Sequence, residues 1–481
     1  MCSNTPYQNQ RGRYVRGKRV PISMTTTFIE VLLGMLVVAM ISDVSGASQA
    51  YRSPNGDIAP ASAASYLQIA NEIEANLRNQ VLEKWFPAAV DSVHGGFHQN
   101  FREDWSLDPH EDRSLVYQSR LTWISSEAAL RYPAASKPYL DASLHGLAFL
   151  ENNLWDAVHG GQFWALDEHG APERAGEKHA YGISFAIYAA AACYRATKEP
   201  RALDFAKRTF AWLDGHAHDG INGGYYEALT REGKPILQVV SDRPQSDFIG
   251  THYGYKSMNT HIHLLEALTG LFEVWPDATV RKRLNEVFLI VRDRINVPPG
   301  CLNLFFTPDW RPVPDHDSFG HDVETAYLLV EASAALGHHD DPKTWSVSRH
   351  LIDHALEYGW DAENGGFYDA GTAFGPPLVT EKIWWTQAEG LNALMLMHVK
   401  YGLETDKYWQ AFNRQWRFIR DQQVDPVHGG WYAVVSRDGK PVPGHIKSDR
   451  WTEAYHQGRA MLVVSQTLRS LAAKKDGSSH K

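Results

Sequence analysis

The tetrapeptide His94-Gly95-Gly96-Phe97 decides the fold, because related turns recur along the chain. They are His159-Gly160-Gly161-Gln162-Phe163, Asn222-Gly223-Gly224-Tyr225, Asn364-Gly365-Gly366-Phe367 and His428-Gly429-Gly430-Trp431. Their first residues lie 65, 63, 142 and 64 positions apart, so the long gap spans two periods, and it holds a degenerate copy near 300–305. Paired glycines before an aromatic residue favour a tight turn that leads into a short strand. A fixed period of this length indicates a repeat architecture.

Paired amphipathic helices are predicted between these turns. Their ranges are 65–86, 112–132, 137–154, 179–197, 199–214, 256–275, 279–296, 321–337, 342–359, 384–402, 405–422 and 451–473. An open array of such pairs would be a solenoid. Six pairs instead favour closure into an (α/α)6 barrel, with one helix of each pair inside and one outside. The sequence therefore predicts an all-α fold with short β-hairpins at one end, in a single domain over 51–481.

Composition narrows the possible partners. The formal charge is −9, which argues against nucleic acid, because nucleic-acid binding needs a basic surface. The cysteines are Cys2, Cys193 and Cys301, so neither a disulfide framework nor a cysteine metal site is predicted. The 16 Trp and 21 Tyr can fill a large core, and such rings also stack on the apolar faces of sugars.

The first fifty residues have the order of a leader segment. Residues 1–23 are polar and basic, residues 28–41 are apolar apart from Glu30, and small residues follow around Ala47. This order is typical of a secretory signal, and the apolar run is short for a transmembrane helix. We expect export to the periplasm or medium if the leader functions, and a cytoplasmic protein otherwise. An uncleaved anchor and a true start at Met24 are the alternatives.

The stretch FGHDVETAYLL, Phe319 to Leu329, is unusual for a buried helix. His321, Glu324 and Leu328 fall on one helix face, because residues three and four apart are neighbours. That face carries an imidazole, which exchanges protons near neutral pH, where a core helix would carry only apolar groups. The alternative is a capped helix start, with Asp322 and Glu324 near the positive end of the helix dipole.

Polar and aromatic residues near the starts of the predicted inner helices share the phase of the repeat. They are Arg120, Lys178, Tyr181, Asn259, His263, His321, Glu324, Trp384, Trp385, Glu389, Trp451 and His456. If the inner helices are parallel, these residues surround one mouth of the barrel, as convergent polar groups of a pocket do. Individually, Asn259 could be a helix cap and His263 a core histidine, and Trp384 and Trp385 cannot both face inward.

Histidines and an arginine around one cavity suit proton abstraction next to a carbonyl group. Two bases on opposite faces of the carbon, His321 and His456, can invert its configuration, with Arg120 as the oxyanion partner. A glycosidase would instead need two carboxylates, for which Glu324 and Glu389 are the candidates. His261 and His263 lack the spacing and the third partner of a metal site, so no metal is predicted.

Four motifs, in this order on this repeat, resemble the N-acylglucosamine 2-epimerase superfamily, and most closely its cellobiose 2-epimerases. They are KSMNTHIHLLEA at 256–267, SFGHDVETAYLLVEA at 318–332, WWTQAEG at 384–390 and YHQGRA at 455–460. The resemblance covers about 65–473. It implies a cofactor-free and metal-free 2-epimerase that interconverts glucose and mannose at the reducing end of a β-1,4-linked disaccharide such as cellobiose, through ring opening and a cis-enediol. A monosaccharide substrate, mannose or N-acetylglucosamine, is the alternative.

The resemblance also implies roles for the residues at the mouth. His321 and His456 would be the acid/base pair, His263 and Glu324 would assist ring opening, and Arg120 would stabilise the enediolate. The remaining residues would bind sugar, through Asn259, Glu389, Trp385, Trp451 and Tyr181. The expected partner is a small sugar, without a stable membrane partner, and the expected assembly is a monomer or homodimer.

Overall fold

A computed structural model describes residues 59–238, 245–298, 300–444 and 446–478. The predicted leader, 1–50, lies outside these ranges and stays a prediction. In the described ranges, no helix is both long enough and apolar enough for a membrane span. The chain from Asp57 onward forms one compact unit.

The helical layers follow the predicted pairing. The helices are α1 Ala63–Asn76, α2 Leu115–Arg131, α3 Lys137–Asn152, α4 Ala180–Thr197, α5 Pro200–Ala217, α6 Met258–Val274, α7 Ala278–Ile290, α8 Phe319–Ala335, α9 Pro342–Tyr358, α10 Trp384–Tyr401, α11 Lys407–Phe418 and α12 Tyr455–Ser478. Each even-numbered helix packs against the next, α12 also packs against α2, and each has an odd-numbered helix outside it. The even helices therefore form a closed inner ring, and the predicted (α/α)6 barrel is confirmed.

Short strands lie at one end of the barrel. They are β1 Arg113–Ser114, β2 Ala165–Leu166, β3 Lys178–His179, β4 Ala228–Leu229, β5 Lys256–Ser257, β6 Asn296–Val297, β7 Cys301–Leu302, β8 Phe305–Phe306, β9 Pro312–Val313, β10 Asp317–Ser318, β11 Ala370–Gly371, β12 Pro377–Val379, β13 Lys382–Ile383 and β14 Val434–Val435. A strand before an inner helix pairs antiparallel with a strand of the following repeat, as β3 does with β4. A bridge between Phe101 and Ser448 joins the first repeat to the last.

The predicted Gly-Gly turns adopt a conformation that glycine favours. Gly160 and Gly161, for example, have φ values of +70° and +69°, in the left-handed region. A Cβ atom at Gly161 would lie 2.7 Å from the ring of Trp212. The second turn therefore needs glycine both for backbone conformation and for close packing against the outer helix, and the paired glycines of the other four turns also have φ values in the left-handed region.

A buried ion pair, here called the turn clamp, holds each of these turns. In the second repeat, Asp156 accepts the N–H groups of Val158 and His159, and Lys178 donates to Asp156 at 3.1 Å and to the carbonyl of Gly160. The same clamp recurs as Arg113–Asp91, Lys256–Asp219, Lys382–Asp361 and Lys447–Asp425. The expectation that Lys178 surrounds the mouth is therefore wrong, because its ammonium group is buried in the turn.

The start of the last inner helix differs from the prediction. α12 begins at Tyr455, whereas the sequence predicted position 451. Asp449 accepts the backbone N–H groups of Trp451 at 2.8 Å and Thr452 at 2.7 Å, which holds these residues in a turn. Trp451 therefore belongs to the loop before the helix.

Candidate active site

The inner helices begin at the same end of the barrel, because each follows a strand of the hairpin layer. Arg120, His263, Glu324 and Glu389 are each the sixth residue of their helix, in α2, α6, α8 and α10. Equal distance from the helix start places them in one layer of the barrel interior. The sixth residue of α4 is Phe185, whose ring lies 4.4 Å from the Arg120 guanidinium carbon and 4.7 Å from the His263 ring.

His456 is oriented by a carboxylate. Its Nδ1 lies 2.6 Å from Glu389 Oε1, and the other Glu389 oxygen accepts the Tyr327 hydroxyl at 2.6 Å. An ionised carboxylate accepts only, so this contact requires the proton on Nδ1. Nε2 of neutral His456 then carries a lone pair, which is the form that a general base needs.

His321 and His456 contact the same aromatic ring. The Trp385 ring centroid is 4.8 Å from that of His321 and 5.7 Å from that of His456. His321 Nδ1 lies 2.7 Å from the Ser318 hydroxyl. Both catalytic candidates are therefore held through Nδ1, which leaves each Nε2 for a bound molecule.

His263 belongs to the same group and is not an isolated core histidine. Its Nδ1 lies 3.1 Å from Glu266, and its ring meets Tyr181 edge-on at 5.2 Å. Its neighbour His261, by contrast, uses both ring nitrogens on the backbone of Ser257 and Tyr225. The weaker hypothesis of a metal site at His261 and His263 therefore finds no support in the geometry.

Arg120 is buried beside the histidines. Its guanidinium donates to Glu453 at 3.0 Å and to the Tyr181 hydroxyl at 3.2 Å. Its Nε is buried with no hydrogen-bond partner among the described residues. Arg120 is therefore a buried positive charge next to the histidines, and one of its N–H groups is left unsatisfied by the described residues.

Arg459 connects the acidic groups of the layer, and the sequence interpretation missed it. Its guanidinium donates to Glu324 at 2.7 Å, to Glu389 at 2.8 Å and, in a shorter contact, to Glu266. Arg459 stands three residues after His456 in the YHQGRA motif, and this spacing on one helix face was the available signal. Both of its terminal nitrogens are engaged by protein carboxylates, so it positions those carboxylates.

The site shifts the pKa values of its ionisable groups. Burial, with the positive charges of Arg120 and Arg459, lowers the pKa of His456 well below 6.5. Burial, with the neighbouring histidines, lowers the pKa of His321 to about 3. Burial and the Glu389 charge raise the pKa of Glu324. The resting site therefore holds neutral imidazoles, the form that accepts a proton, beside a carboxyl that retains its own proton.

The remaining predicted residues lie at the rim. Asn259 is half-buried, and its side-chain oxygen has no hydrogen-bond partner in the described ranges. Trp385 is half-buried at the site, whereas Trp384 is buried in packing, so one tryptophan of the pair faces inward as expected. Trp451 is half-buried and contacts Trp164. The ring of Phe248 stacks on the same Trp164, with 4.8 Å between the ring centroids. Phe248 lies in the described segment 245–255, which thus borders the rim.

A metal ion among the carboxylates of this interior layer would be repelled by an arginine. Ligand atoms of Glu324, Glu389 and His456 lie within 4.8 Å of one another, close enough for a metal ion. The Arg459 guanidinium already contacts both carboxylates, and a second cation there would face its charge. The geometry therefore favours proton transfer by histidines.

Known proteins share this sequence and fold. The sequence model of the family N-acylglucosamine 2-epimerase (GlcNAc 2-epimerase) matches residues 95–460. A cellobiose 2-epimerase of Bacteroides fragilis is 30% identical over 398 residues, covering 82% of this chain and 98% of that protein. A D-mannose isomerase of Marinomonas mediterranea is 24% identical over 417 residues, covering 82% and 97%.

The solved structure of cellobiose 2-epimerase from Spirochaeta thermophila has a TM-score of 0.76 at 31% identity, and the match covers 85% of this chain and 98% of that one. The range matched by the family model includes Arg120, His263, Glu324, Glu389 and Arg459. The chain therefore belongs to the N-acylglucosamine 2-epimerase family, and it is an enzyme of the epimerase and isomerase class.

Proposed function

We propose that this enzyme inverts C2 of the reducing-end sugar of a β-1,4-linked disaccharide such as cellobiose, by proton transfer through His321 and His456. The observation that carries the proposal is the pair of imidazoles held through Nδ1, one by Ser318 and one by Glu389, beside a single ring of Trp385. Two bases that present Nε2 to one cavity can serve opposite faces of one carbon.

Ring opening comes first, because C2 becomes acidic only next to a free carbonyl. His263 and Glu324 are the groups for this step. One Glu324 oxygen is buried with no hydrogen-bond partner among the described residues, and its raised pKa lets the carboxyl keep a proton to donate. His263 then accepts the hydroxyl proton as the hemiacetal bond to C1 breaks.

Proton transfer follows at the open-chain aldehyde. One imidazole removes the C2 proton, and the electron pair of the C–H bond moves through C1 to the carbonyl oxygen. We assign Arg120, whose positive charge acts on His456, to stabilise the resulting enediolate. The other imidazole, whose resting form is neutral, first takes up a proton from solvent. It then returns that proton to the opposite face of C2, and ring closure releases the epimer.

Glu389 is assigned a different role from the expected one. Both of its oxygens are engaged, by His456 and Arg459 on one side and by Tyr327 on the other. We therefore assign Glu389 as a positioning residue for His456, and leave sugar hydroxyls to Asn259. Trp385 and Trp451 supply half-buried rings for stacking against sugar.

Aldose–ketose isomerisation of mannose is the second candidate. It is favoured by the D-mannose isomerase relative, which aligns with as much of the chain as the cellobiose 2-epimerase relative does. Both reactions pass through the same enediolate and differ in whether the proton returns to C2 or to C1. A glycosidase is disfavoured, because the Arg459 guanidinium binds both Glu324 and Glu389.

A product screen by NMR tests the proposal. The purified enzyme is incubated separately with cellobiose, lactose, mannose and N-acetylglucosamine. The proposal expects a mannose-configured reducing end from cellobiose. A ketose as the sole product would select the isomerase, and release of monosaccharides that survives His321→Ala and His456→Ala would select a hydrolase.

A further inference from the structure

The hairpin before α8 lacks the turn clamp that holds the other turns. In the second repeat, Trp155 pairs with Gln162 and the clamp aspartate Asp156 follows Trp155. In the degenerate repeat, Asn296 pairs with Leu302, so Val297 stands where the aspartate would be. The clamp lysine is the first residue of the strand before an inner helix, and in β10 that residue is Asp317. Both charges of the clamp have therefore changed here.

Asp317 is buried with unfilled hydrogen-bonding capacity. Its exposed fraction is 2%, and neither carboxylate oxygen has a hydrogen-bond partner among the described residues. Asp322, on the first turn of α8, is fully buried, and its Oδ1 is also without one there. The ion pairs of these two carboxylates within the described ranges are with His354, at 3.6 Å and 3.2 Å. Two buried carboxylates beside one imidazole are costly unless a cation joins them.

His354 is oriented as a metal-binding histidine would be. Its Nε2 lies 2.5 Å from the carbonyl oxygen of Ala373, so Nε2 carries the proton that this contact needs. Nδ1 faces Asp322 and Asp317. A histidine that ligates a metal donates its other N–H group to a backbone carbonyl or carboxylate in this way.

We propose that Asp317, Asp322 and His354 bind a divalent cation of the zinc class, in place of the lysine ammonium of the other repeats. The three ligand atoms lie within 4.8 Å of one another. Ligands about 2.0 Å from a tetrahedral metal lie about 3.3 Å apart, between the 3.2 Å and 3.6 Å found here. One imidazole with two carboxylates suits Zn²⁺, and a water would complete the tetrahedron.

The site has a structural consequence for the catalytic mouth. Asp317 precedes Ser318, which bonds to His321, and Asp322 follows His321. A cation between the two aspartates would fix the start of α8 from the side opposite the sugar site. This site is distinct from the mouth, and the proposal does not depend on which sugar the enzyme uses.

Metal titration of the full protein tests the proposal. Purified enzyme is stripped with a chelator, dialysed and titrated with Zn²⁺ by calorimetry, and Tm is measured with and without the ion. Wild-type protein should bind about one Zn²⁺ per chain and gain a few degrees in Tm at a hundredfold excess over Kd. Loss of a supporting group costs up to about 100-fold in metal affinity, so Asp317→Asn should cost at least that.

Two controls separate this site from surface histidines and from misfolding. Asp315→Asn, two residues away and outside the cluster, should bind Zn²⁺ as the wild type does. Without metal, Asp317→Asn should be at least as stable as the wild type, because it removes a buried carboxylate that has no hydrogen-bond partner among the described residues. Failure of the wild type to bind, or unchanged binding by Asp317→Asn, would overturn the proposal and indicate an aspartate pair that shares a proton. Neither result depends on turnover.

Discussion

At the residue scale, His456 is the group on which the proposed chemistry depends most. Its Nδ1 is bound to Glu389, so its Nε2 carries the lone pair that the proposed general base uses. We expect His456→Ala to lower kcat by about 10³-fold or more while the fold stays intact, since general-base catalysis contributes 10²–10⁴-fold. Circular dichroism and Tm check the fold. Unfolding of the variant would instead support a structural role for this histidine.

Glu389→Gln tests whether the carboxylate sets the form of His456. An amide can donate as well as accept, so it no longer holds the proton on Nδ1. We expect kcat to fall by about 10²-fold with little change in KM, because the sugar contacts remain. Glu404→Gln, an exposed change of the same kind, should leave both constants unaltered. A rise in KM alone would return Glu389 to the sugar-binding role.

The dependence of kcat/KM on pH follows from the lowered histidine pKa values. Burial and the charges of Arg120 and Arg459 lower the pKa of His456, so its neutral form persists below pH 6.5. The acid limb of kcat/KM should therefore lie clearly below 6.5, the ordinary value for imidazole. A limb at 6.5 or above, measured with cellobiose, would contradict this environment.

The sequence was informative about the mouth because its motifs lie at fixed positions in the inner helices. The shared phase of the repeat correctly predicted that the residues at the sixth position of four inner helices lie together. Arg459 and Ser318 were missed since their roles depend on contacts between helices, which spacing along one helix does not specify. The prediction for Lys178 was wrong because the sequence pattern does not distinguish a lysine buried in a turn from a lysine at the rim of the barrel.

At the element scale, the turn clamp holds the hairpin layer from which the inner helices start. Lys256 is fully buried, and its ammonium group donates to Asp219 and to the carbonyls of Gly223 and Pro308. Lys256→Met leaves Asp219 buried without this partner, and removing one member of such a pair costs about 3–5 kcal/mol. We expect the free energy of unfolding in urea to fall by that amount.

Lys343→Met is the matched control for this prediction. Lys343 pairs with Asp293 on the surface, where its side chain is 61% exposed. Exposed pairs contribute at most about 1 kcal/mol, so this variant should be nearly as stable as the wild type. If both variants lost the same stability, the clamp would have no special role.

Helix ends were the part of the elements that the sequence predicted least well. The inner and outer helices were located by their apolar periodicity, which is strong over three or more turns. The start of α12 was missed because Asp449 caps a turn at Trp451, and the sequence WTEAYHQ continues the same pattern across it. The hydrogen bonds of Asp449 set the start of the helix, and apolar periodicity does not reveal such bonds.

At the scale of the whole molecule, closure of the ring brings distant residues together. α1 packs against α12, and the Phe101–Ser448 bridge joins the ends of the described barrel. His263, Arg120 and His456, far apart in the chain, share one chamber as a result. Six repeats predicted closure in place of an open solenoid, whereas the proposed metal site at Asp317, Asp322 and His354 depends on how one degenerate repeat packs and was not foreseen.

Deuterium exchange tests the central claim most directly. The enzyme is incubated with cellobiose in D2O, and the C2 position of the reducing-end sugar is followed by proton NMR. The account predicts deuterium at C2 of both the glucose-configured and the mannose-configured disaccharide. With His456→Ala it predicts loss of epimer formation and exchange in at most one of the two configurations, because His321 still serves one face of C2. Epimer formation without deuterium at C2, or no exchange with any reducing sugar, would contradict proton transfer by the two histidines.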